Sequence, residues 1–578
     1  MSETAALAEL AKRRGFFFAS NEAYGGTAGF YTYGPEGAAL KRNFEDAWRD
    51  LFVRELGNVE LEAPTVMPEA VFEASGHLDG FDDMIVECGE CGATHRADHL
   101  VEDAVEDIED AEALGTERVG ERIAEHGIVC PSCEAELAPT PVEEFNLMFG
   151  TNIGPGSASP GYLRPETAQG IFVEFPRLKE YARNQLPFGV AQIGRAYRNE
   201  ISPRRALVRV REFTQAELEH FIDPERDEPP IGRVEDVEIP LYSVEEQHDG
   251  EGSVETYTVR EALDKGIVGS EWVAYYLGCS MEFYERIGID MDRFRYRQHL
   301  AGERAHYAAD CWDAETELGG NWIEVTGFAY RSDYDLSKHG EYSDESFTLF
   351  RQYDDPKTIE RAVVDPDMSY LGPEFGGDAA AIADALEALA GRDRSAFDGE
   401  NVTVELDGES HTVPVEKTGF AVEGQTEAGE HITPHVVEPS FGVDRLVYSA
   451  LVHALESDTV DGEDRSFLGL PAAMAPTTVA VFPLMDKDGL GDRARSIADR
   501  LRAEGFEVSY DDTGNIGRRY RRQDEVGTPY CVTVDYETQD DETVTIRERD
   551  STDQTRVPVE ELPSAIRRLL GGATLSEL

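Results

Sequence analysis

The chain has 578 residues, 116 acidic against 53 basic, and a formal net charge of −63 at pH 7. Its apolar fraction of 40% supports several buried cores and excludes general disorder, and no apolar run approaches the roughly 18 residues of a membrane span. Only 8 of the basic residues are lysine. Such acidity fits a surface adapted to molar salt, where the Debye length is about 3 Å, and says little about partners.

The start, Met1 to Phe18, lacks the basic–apolar–small order of a signal peptide, so a cytoplasmic, membrane-free protein is expected. A helix is expected over Glu36–Leu56, followed by a strand-like run, Val59–Pro64. Residues 81–150 hold Cys88-Gly-Glu-Cys91 and Cys130-Pro-Ser-Cys133. Four thiolates in paired CxxC turns match tetrahedral structural Zn²⁺, with His95 and His99 as alternative ligands across a 38-residue gap. Cys279, Cys311 and Cys531 are isolated and expected to be plain thiols.

The richest segment is Arg198–Glu217. It reads as two strands joined by a Ser202-Pro203 turn, entered from the apolar run Val190–Tyr197. Alternation would place Arg198 and Glu200 on one face of the first strand, and Arg209, Arg211, Phe213, Gln215 and Glu217 on one face of the second. Guanidinium forks grip phosphate, an aromatic plate stacks a base, and carboxylates hold a cation or an ammonium. Two more strings complete this site. Arg164-Pro-Glu166 precedes an apolar run, and Glu438-Pro439-Ser440 leads through Gly442 into a helix, Val443–Leu455, with Arg445 in its positively polarised first turn.

Residues 225–300 and 355–430 read as insertions, the first with a helix near Trp272–Ile287 and the second with a helix near Ala379–Ala390 and hairpins such as Val402–Gly408. A strand returns at Asn321–Thr326 between them. After a Pro471–Pro476 linker, residues 477–578 alternate strands (Thr477–Phe482, Phe506–Tyr510, Tyr530–Tyr536) with helices (Asp488–Glu504, Pro558–Leu570), an α/β unit of normal domain size. Within it, Arg518–Arg522 interleaves an aromatic with arginines, a pattern that favours RNA contact. No glycine is followed by lysine, which excludes a P-loop, and no GxGxxG opens a βαβ unit.

In order and spacing these strings resemble class II aminoacyl-tRNA synthetases, most closely the glycyl-tRNA synthetase family. Arg164–Phe172 is similar to the family's glycine-pocket signature, Arg198–Glu217 to motif 2 and Glu438–Arg445 to motif 3; Tyr33-Gly34-Pro35 and Ala74–His77 resemble its N-terminal region. The resemblance implies an α+β fold: an antiparallel-sheet catalytic domain over residues 1–470, interrupted by the zinc module and the two insertions, then a C-terminal α/β anticodon-binding domain over 477–578. It implies glycine, ATP with Mg²⁺ and tRNA(Gly) as substrates, a homodimer, and a halophilic setting from the composition. Catalysis would fall to Arg198, Arg445 and Glu324. The ATP site would comprise Arg198, Asn199, Glu200, Val208, Arg209, Val210, Arg211, Glu212, Phe213, Glu324, Val325, Gly442 and Arg445. Glycine would meet Arg96, Glu166, Phe213, Glu217, Glu438, Pro439, Ser440 and Gly442. Competing readings are a class II synthetase for another small amino acid and an inactive tRNA- or DNA-binding paralogue, which should have lost Arg198 or Arg445.

Overall fold

The computed structural model describes residues 3–105, 111, 114–155, 159–203, 206–248, 252–300, 310–406, 408–460 and 462–578. Arg204 and Arg205, at the expected motif 2 turn, lie outside them. Two compact units emerge, one formed by residues 1–347 with 434–578 and the other by 348–433.

The first unit is organised around nine strands: β1 (Val59–Glu60), β2 (Phe188–Tyr197), β3 (Glu212–Ile222), β4 (Glu238–Tyr242), β5 (Glu255–Thr258), β6 (Phe294–Gln298), β7 (Asp310–Leu318), β8 (Asn321–Ser332) and β9 (His435–Gly442). Their spatial order is β5-β4-β6-β7-β8-β9-β3-β2-β1. Only β4–β6 and β2–β1 pair in parallel, so hairpin-type neighbours dominate. One face of this sheet is covered by α1 (Pro35–Trp48), whose buried Leu40, Phe44 and Trp48 join the principal core. On α3 (Glu271–Ile287) nearly every residue is buried, as expected of a helix with apolar residues all round. Shorter helices α2 (Ala168–Val173) and α4 (Tyr334–Tyr342) flank the site, and α5 (Val443–His453) follows β9 directly.

Motif 2 differs from its sequence expectation. β2 ends at Tyr197 and β3 begins at Glu212, so Arg198, Glu200, Arg209 and Arg211 lie in the connection between them. Charge alternation imitated a strand period there. The backbone instead makes a 3₁₀ turn at Ala206–Val208 and is pinned by Arg211, whose guanidinium donates to the carbonyls of Glu200 and Ala28, both at 3.0 Å. The expected strand Val59–Pro64 is likewise only two residues long.

Strands Asp82–Glu87, Thr94–Arg96 and Val142–Asn146 form a separate three-stranded sheet. Helices Ala97–Ala104 and Thr116–Glu125 add Val101, Val119 and Ile123 to its small core. Beyond residue 476 come β10 (Val479–Pro483), β11 (Val508–Tyr510), β12 (Tyr530–Val534), β13 (Thr543–Glu548) and β14 (Gln554–Pro558), ordered β11-β10-β12-β13-β14. Helices α6 (Leu490–Ala503), α7 (Ile516–Val526) and α8 (Leu562–Leu570) accompany them.

The second unit pairs strands Leu349–Val363 and Ala421–Ile432. A helix, Ala379–Arg392, packs Ile382 and Leu386 against Val402, Val404 and Val413 of a hairpin.

Candidate active site

Arg198, Glu200, Val208, Arg209, Val210, Phe213, Glu324, Val325, Ser440, Gly442 and Arg445 line one cleft above the β3–β9–β8 ladder. Arg198 lies over the Phe213 ring at 5.5 Å, a cation–π contact that fixes both, and its Nε donates to the Pro165 carbonyl at 3.2 Å. Arg209 pairs with Glu200. Arg445, in the first turn of α5, donates to the carbonyls of Val208 (3.1 Å) and Glu324 (2.9 Å) and meets the Glu324 carboxylate at 3.1 Å. The Arg445 guanidinium holds Glu324 below the usual carboxylate range, so it stays ionised. The root of α5 is tied down by Asp444, which accepts from the Thr214 amide and the Tyr33 hydroxyl. Three expected ATP-site positions, and Pro439 of the expected glycine site, stand apart. Asn199 binds Leu147 through its backbone at 2.8 Å, Arg211 pins the loop, Glu212 faces Arg195 at 3.7 Å, and Pro439 alternates away from Glu438 and Ser440.

Just beyond Ser440 a second, buried set of carboxylates begins. Glu217 accepts from the Thr167 hydroxyl, the Ala168 amide (2.6 Å), the Ser440 hydroxyl (2.6 Å) and Gln215 (3.0 Å). Glu166 accepts from Gln169 at 2.8 Å and faces His77 at 3.7 Å. Its rigid seat comes from Arg164, which is 1% exposed and donates to Arg195 and Ala63 carbonyls; a Cβ at Gly194 would collide with this guanidinium. Glu438 accepts from Arg331 at 2.8 Å, and Arg331 is itself clamped by Asp335 at 2.7 and 2.8 Å. Burial, with Glu217 and Glu166 nearby, pushes Glu438 up to about 8 against the pull of Arg331. Burial and Glu166 also raise Glu217. Burial opposes ionisation of Glu166 too, yet His77, Arg331 and Gln169 hold it low.

Sequence reasoning missed Arg331, Asp335, Glu219, Gln169 and His77 here, and Asp313 near Glu324. Two signals were present: Arg331 and Asp335 at helical i,i+4 spacing, and Glu217-Leu218-Glu219, which turns two acids to the same strand face. Asp313, on β7, pairs with His299 at 2.8 Å, and burial lifts it to about 6.

Arg96 occupies a neighbouring cleft, with His95, His99, Ser202 and Arg209. It is paired with Asp98 and Asp83, and Asp83 also stands 4.0 Å from Arg209. Arg96, expected at the glycine site, thus lines this second cleft and not the one beside Phe213, while Arg209 lines both. The four cysteines of its module, Cys88, Cys91, Cys130 and Cys133, bring their sulfurs within 4.8 Å of one another. The Cys88–Cys133 and Cys91–Cys130 separations are 3.6 and 3.7 Å. A Zn–S bond of 2.3 Å in a tetrahedron requires about 3.8 Å. Amides of Cys91 and Glu90 draw the Cys88 thiol down to about 7, a donor ready to bind metal. The residues fit zinc; His95 Nε2, 3.3 Å from the Cys130 sulfur, completes its surroundings.

In the arginine cluster of α7, Arg518 is exposed, whereas Arg519 is 2% exposed and spends its donors on carbonyls of Pro483, Asp512 and Gly514. Arg522 binds Asp511 and Tyr520 binds Thr533. Arg519 is thus internal architecture, while Arg518, Tyr520 and Arg521 line a groove.

Residues 159–238 match the tRNA synthetase class II core domain (G, H, P, S and T), and residues 478–569 the anticodon binding domain. The glycine–tRNA ligase of Methanothrix thermoacetophila is 49% identical over 98% of this chain and 96% of its own length. That of Archaeoglobus fulgidus is 46% identical over 97% and 96%. Among solved structures, the prolyl-tRNA synthetase of Giardia lamblia overlays with a TM-score of 0.54 at 13% identity, over 99% of this chain and 80% of that one, a likeness of fold. With the class II sheet, the anticodon-binding module and full-length identity in agreement, this chain belongs to the glycine–tRNA ligases, the ATP-dependent class II synthetases that aminoacylate tRNA with glycine.

Proposed function

We propose that the cleft binds ATP and the adjoining carboxylate pocket binds glycine, so that both reactants of adenylation lie along the β3–β9 ladder. The observation that carries this reading is the juncture at Ser440, whose hydroxyl is held by Glu217 on one side while the residue lines the arginine cleft on the other. Phe213 stacks the adenine, Arg198 takes the α-phosphate and Arg445 the γ-phosphate of a bent ATP. Glu200 and Arg209 complete the nucleotide site. Glu324, with Asp313 close enough to feel its charge, would hold Mg²⁺, which supplies neutralisation of phosphate charge when bound.

The glycine ammonium sits among Glu166, Glu217 and Glu438 with Ser440. Its carboxylate oxygen attacks the α-phosphorus, the bond to the bridging oxygen breaks, and pyrophosphate leaves. The 3′ ribose hydroxyl of the tRNA then attacks the glycyl carbonyl and AMP departs. The protein aligns the groups and offsets charge, with no covalent nucleophile of its own. A pocket filled by carboxylates rejects larger side chains by overlap.

We further propose a catalytic part over residues 1–470 and an anticodon-binding part over 477–578, with insertions 225–300 and 355–430 near the tRNA acceptor stem. A zinc ion in the four-cysteine module, a homodimer formed where β1 ends the large sheet, and a cytoplasm rich in salt complete the reading; among the described residues, no helix is long and apolar enough to cross a membrane. ATP–pyrophosphate exchange in high KCl tests the core of it: exchange should require glycine and fail with alanine or serine. Exchange indifferent to the amino acid would refute the pocket assignment.

A further inference from the structure

Glu219 follows Glu217 by two residues on β3 and shares its face. It is fully buried, and neither carboxyl oxygen meets a hydrogen-bond donor. In the β3–β9 ladder Glu217 pairs with Ser440 and His220 with Val437, which sets Glu219 opposite Glu438. Its ladder neighbour on β2 is Val190, which has no polar side chain. The charged groups around it are Glu217 on its own strand, Glu438 on β9, Arg331 on β8 and Asp335 on α4, with Glu166 beyond Glu217.

An ionised carboxylate without a donor in a dry pocket is strongly disfavoured, and two carboxylates facing each other on adjacent strands resist carrying charge together. A neutral carboxyl relieves both conditions and makes Glu219 a donor. We propose that Glu219 is a positioning residue for glycine, remaining neutral and donating its O–H to the Glu438 carboxylate while Glu438 holds the ammonium. The inference rests on the glycine-pocket reading above. Burial and Glu438 keep Glu219 well above the usual carboxylate range, and Glu438 itself stands at about 8. Both carboxyls of the empty pair are therefore pushed toward the protonated form. When the ammonium arrives the pair loses one proton: an O–H bond breaks, its electrons stay on the Glu438 carboxylate, the proton passes to solvent, and the Glu219 hydroxyl turns to that carboxylate. The pocket gains an anion only when its cation enters.

Calorimetric titration of the intact protein with glycine at pH 7, in buffers of different ionisation enthalpy, reads this directly. Close to one proton released per glycine is expected, and no release overturns the proposal. Steady-state kinetics supply an independent check. E219Q keeps a donor and should leave the glycine KM within about twofold of the parent, whereas E219M, which cannot donate, should raise it about tenfold with the ATP KM and Tm unchanged. Equal losses in E219Q and E219M, or none in E219M, would overturn the proposal; should E219M not fold, E219L is read by the same criterion. E217Q separates the two levels. If it leaves the glycine KM unaltered, the pocket reading has failed; if it raises KM while E219M does not, only the role of Glu219 has failed.

Discussion

Asp524 on α7 and the buried glutamates beside Ser440, Glu217 and Glu219, keep different company. Asp524, 1% exposed, meets Arg547 at 2.9 and 3.2 Å and Arg465 at 3.4 Å. The neighbouring Arg549 satisfies itself on the carbonyls of Gly527 (2.7 Å) and Leu470 (3.0 Å). In the pocket, Glu166, Glu217, Glu219, Glu438 and Asp335 gather around Arg331, and Arg164 brings a second guanidinium near Glu217. The first cluster closes its own charge account within the fold. The second sets five carboxyls against those two guanidinia. Burial of charge alone does not mark a binding site; burial with an unmet charge does.

Mutations should split along that line. Arg198→Ala is expected to lower glycine-dependent exchange by about 10³-fold, because a preorganised donor to transition-state charge is lost, while Tm stays within error. A comparable fall in Tm would erase the contrast. Asp524→Ala should act the other way, destabilising by about 3–5 kcal/mol in denaturant titrations because buried arginines lose their counter-charge, with exchange per folded molecule unchanged.

The pH dependence of the unliganded protein sharpens the comparison further. Glu438 has a folded value of about 8 against 4.5 when free, so between these limits the native state holds a proton that the unfolded chain has released. Stability from this group is therefore full below about pH 4.5 and declines as pH rises toward 8. Thermal unfolding from pH 5 to 8 should show that decline, and saturating glycine should flatten it. A profile identical with and without glycine would count against the pocket. The smallest effect belongs to Arg518→Ala: as one exposed arginine, it should weaken tRNA binding slightly and reduce the salt slope by about 0.7–0.9 when affinity is measured from 1 to 4 M KCl.

Much of the site was legible because its chemistry lies in short contiguous strings. Glu217, Glu438 and Ser440 each sit beside apolar residues that set their register, and the structure brings their strands to one ladder, with Phe213 near the start of β3, Glu166 on a loop and Arg445 on α5. Arg331 and Asp335 escaped notice because they come from the end of β8 and the start of α4, where an isolated arginine and aspartate read as ordinary surface charge. Only the fold aims them inward. Arg209 and Arg211 illustrate the opposite error: alternating charge looked like a strand, but loop backbone held by side chain–carbonyl bonds leaves no periodic trace. Arg519 of α7 was misread for a related reason, since a guanidinium that satisfies backbone carbonyls inside the fold is indistinguishable in sequence from one offered to RNA.

The hairpin that leaves α5, Leu455–Val460 with Glu463–Leu468, ends its outward run by sending Arg465 back into the Asp524 cluster of α7. The N-terminal helix, Glu3–Arg14, grips the same helix through Arg13 and Arg14 on Glu525. Modularity is therefore shallower than two family matches in one chain would imply. A chimera that exchanged the C-terminal part at the Pro471–Pro476 junction would part Arg465 from Asp524 and from the Arg549 carbonyl, leaving it Asp458 of its own hairpin. A graft that is to retain cooperative melting has to carry the hairpin, and so begins inside what the sequence assigns to the catalytic half.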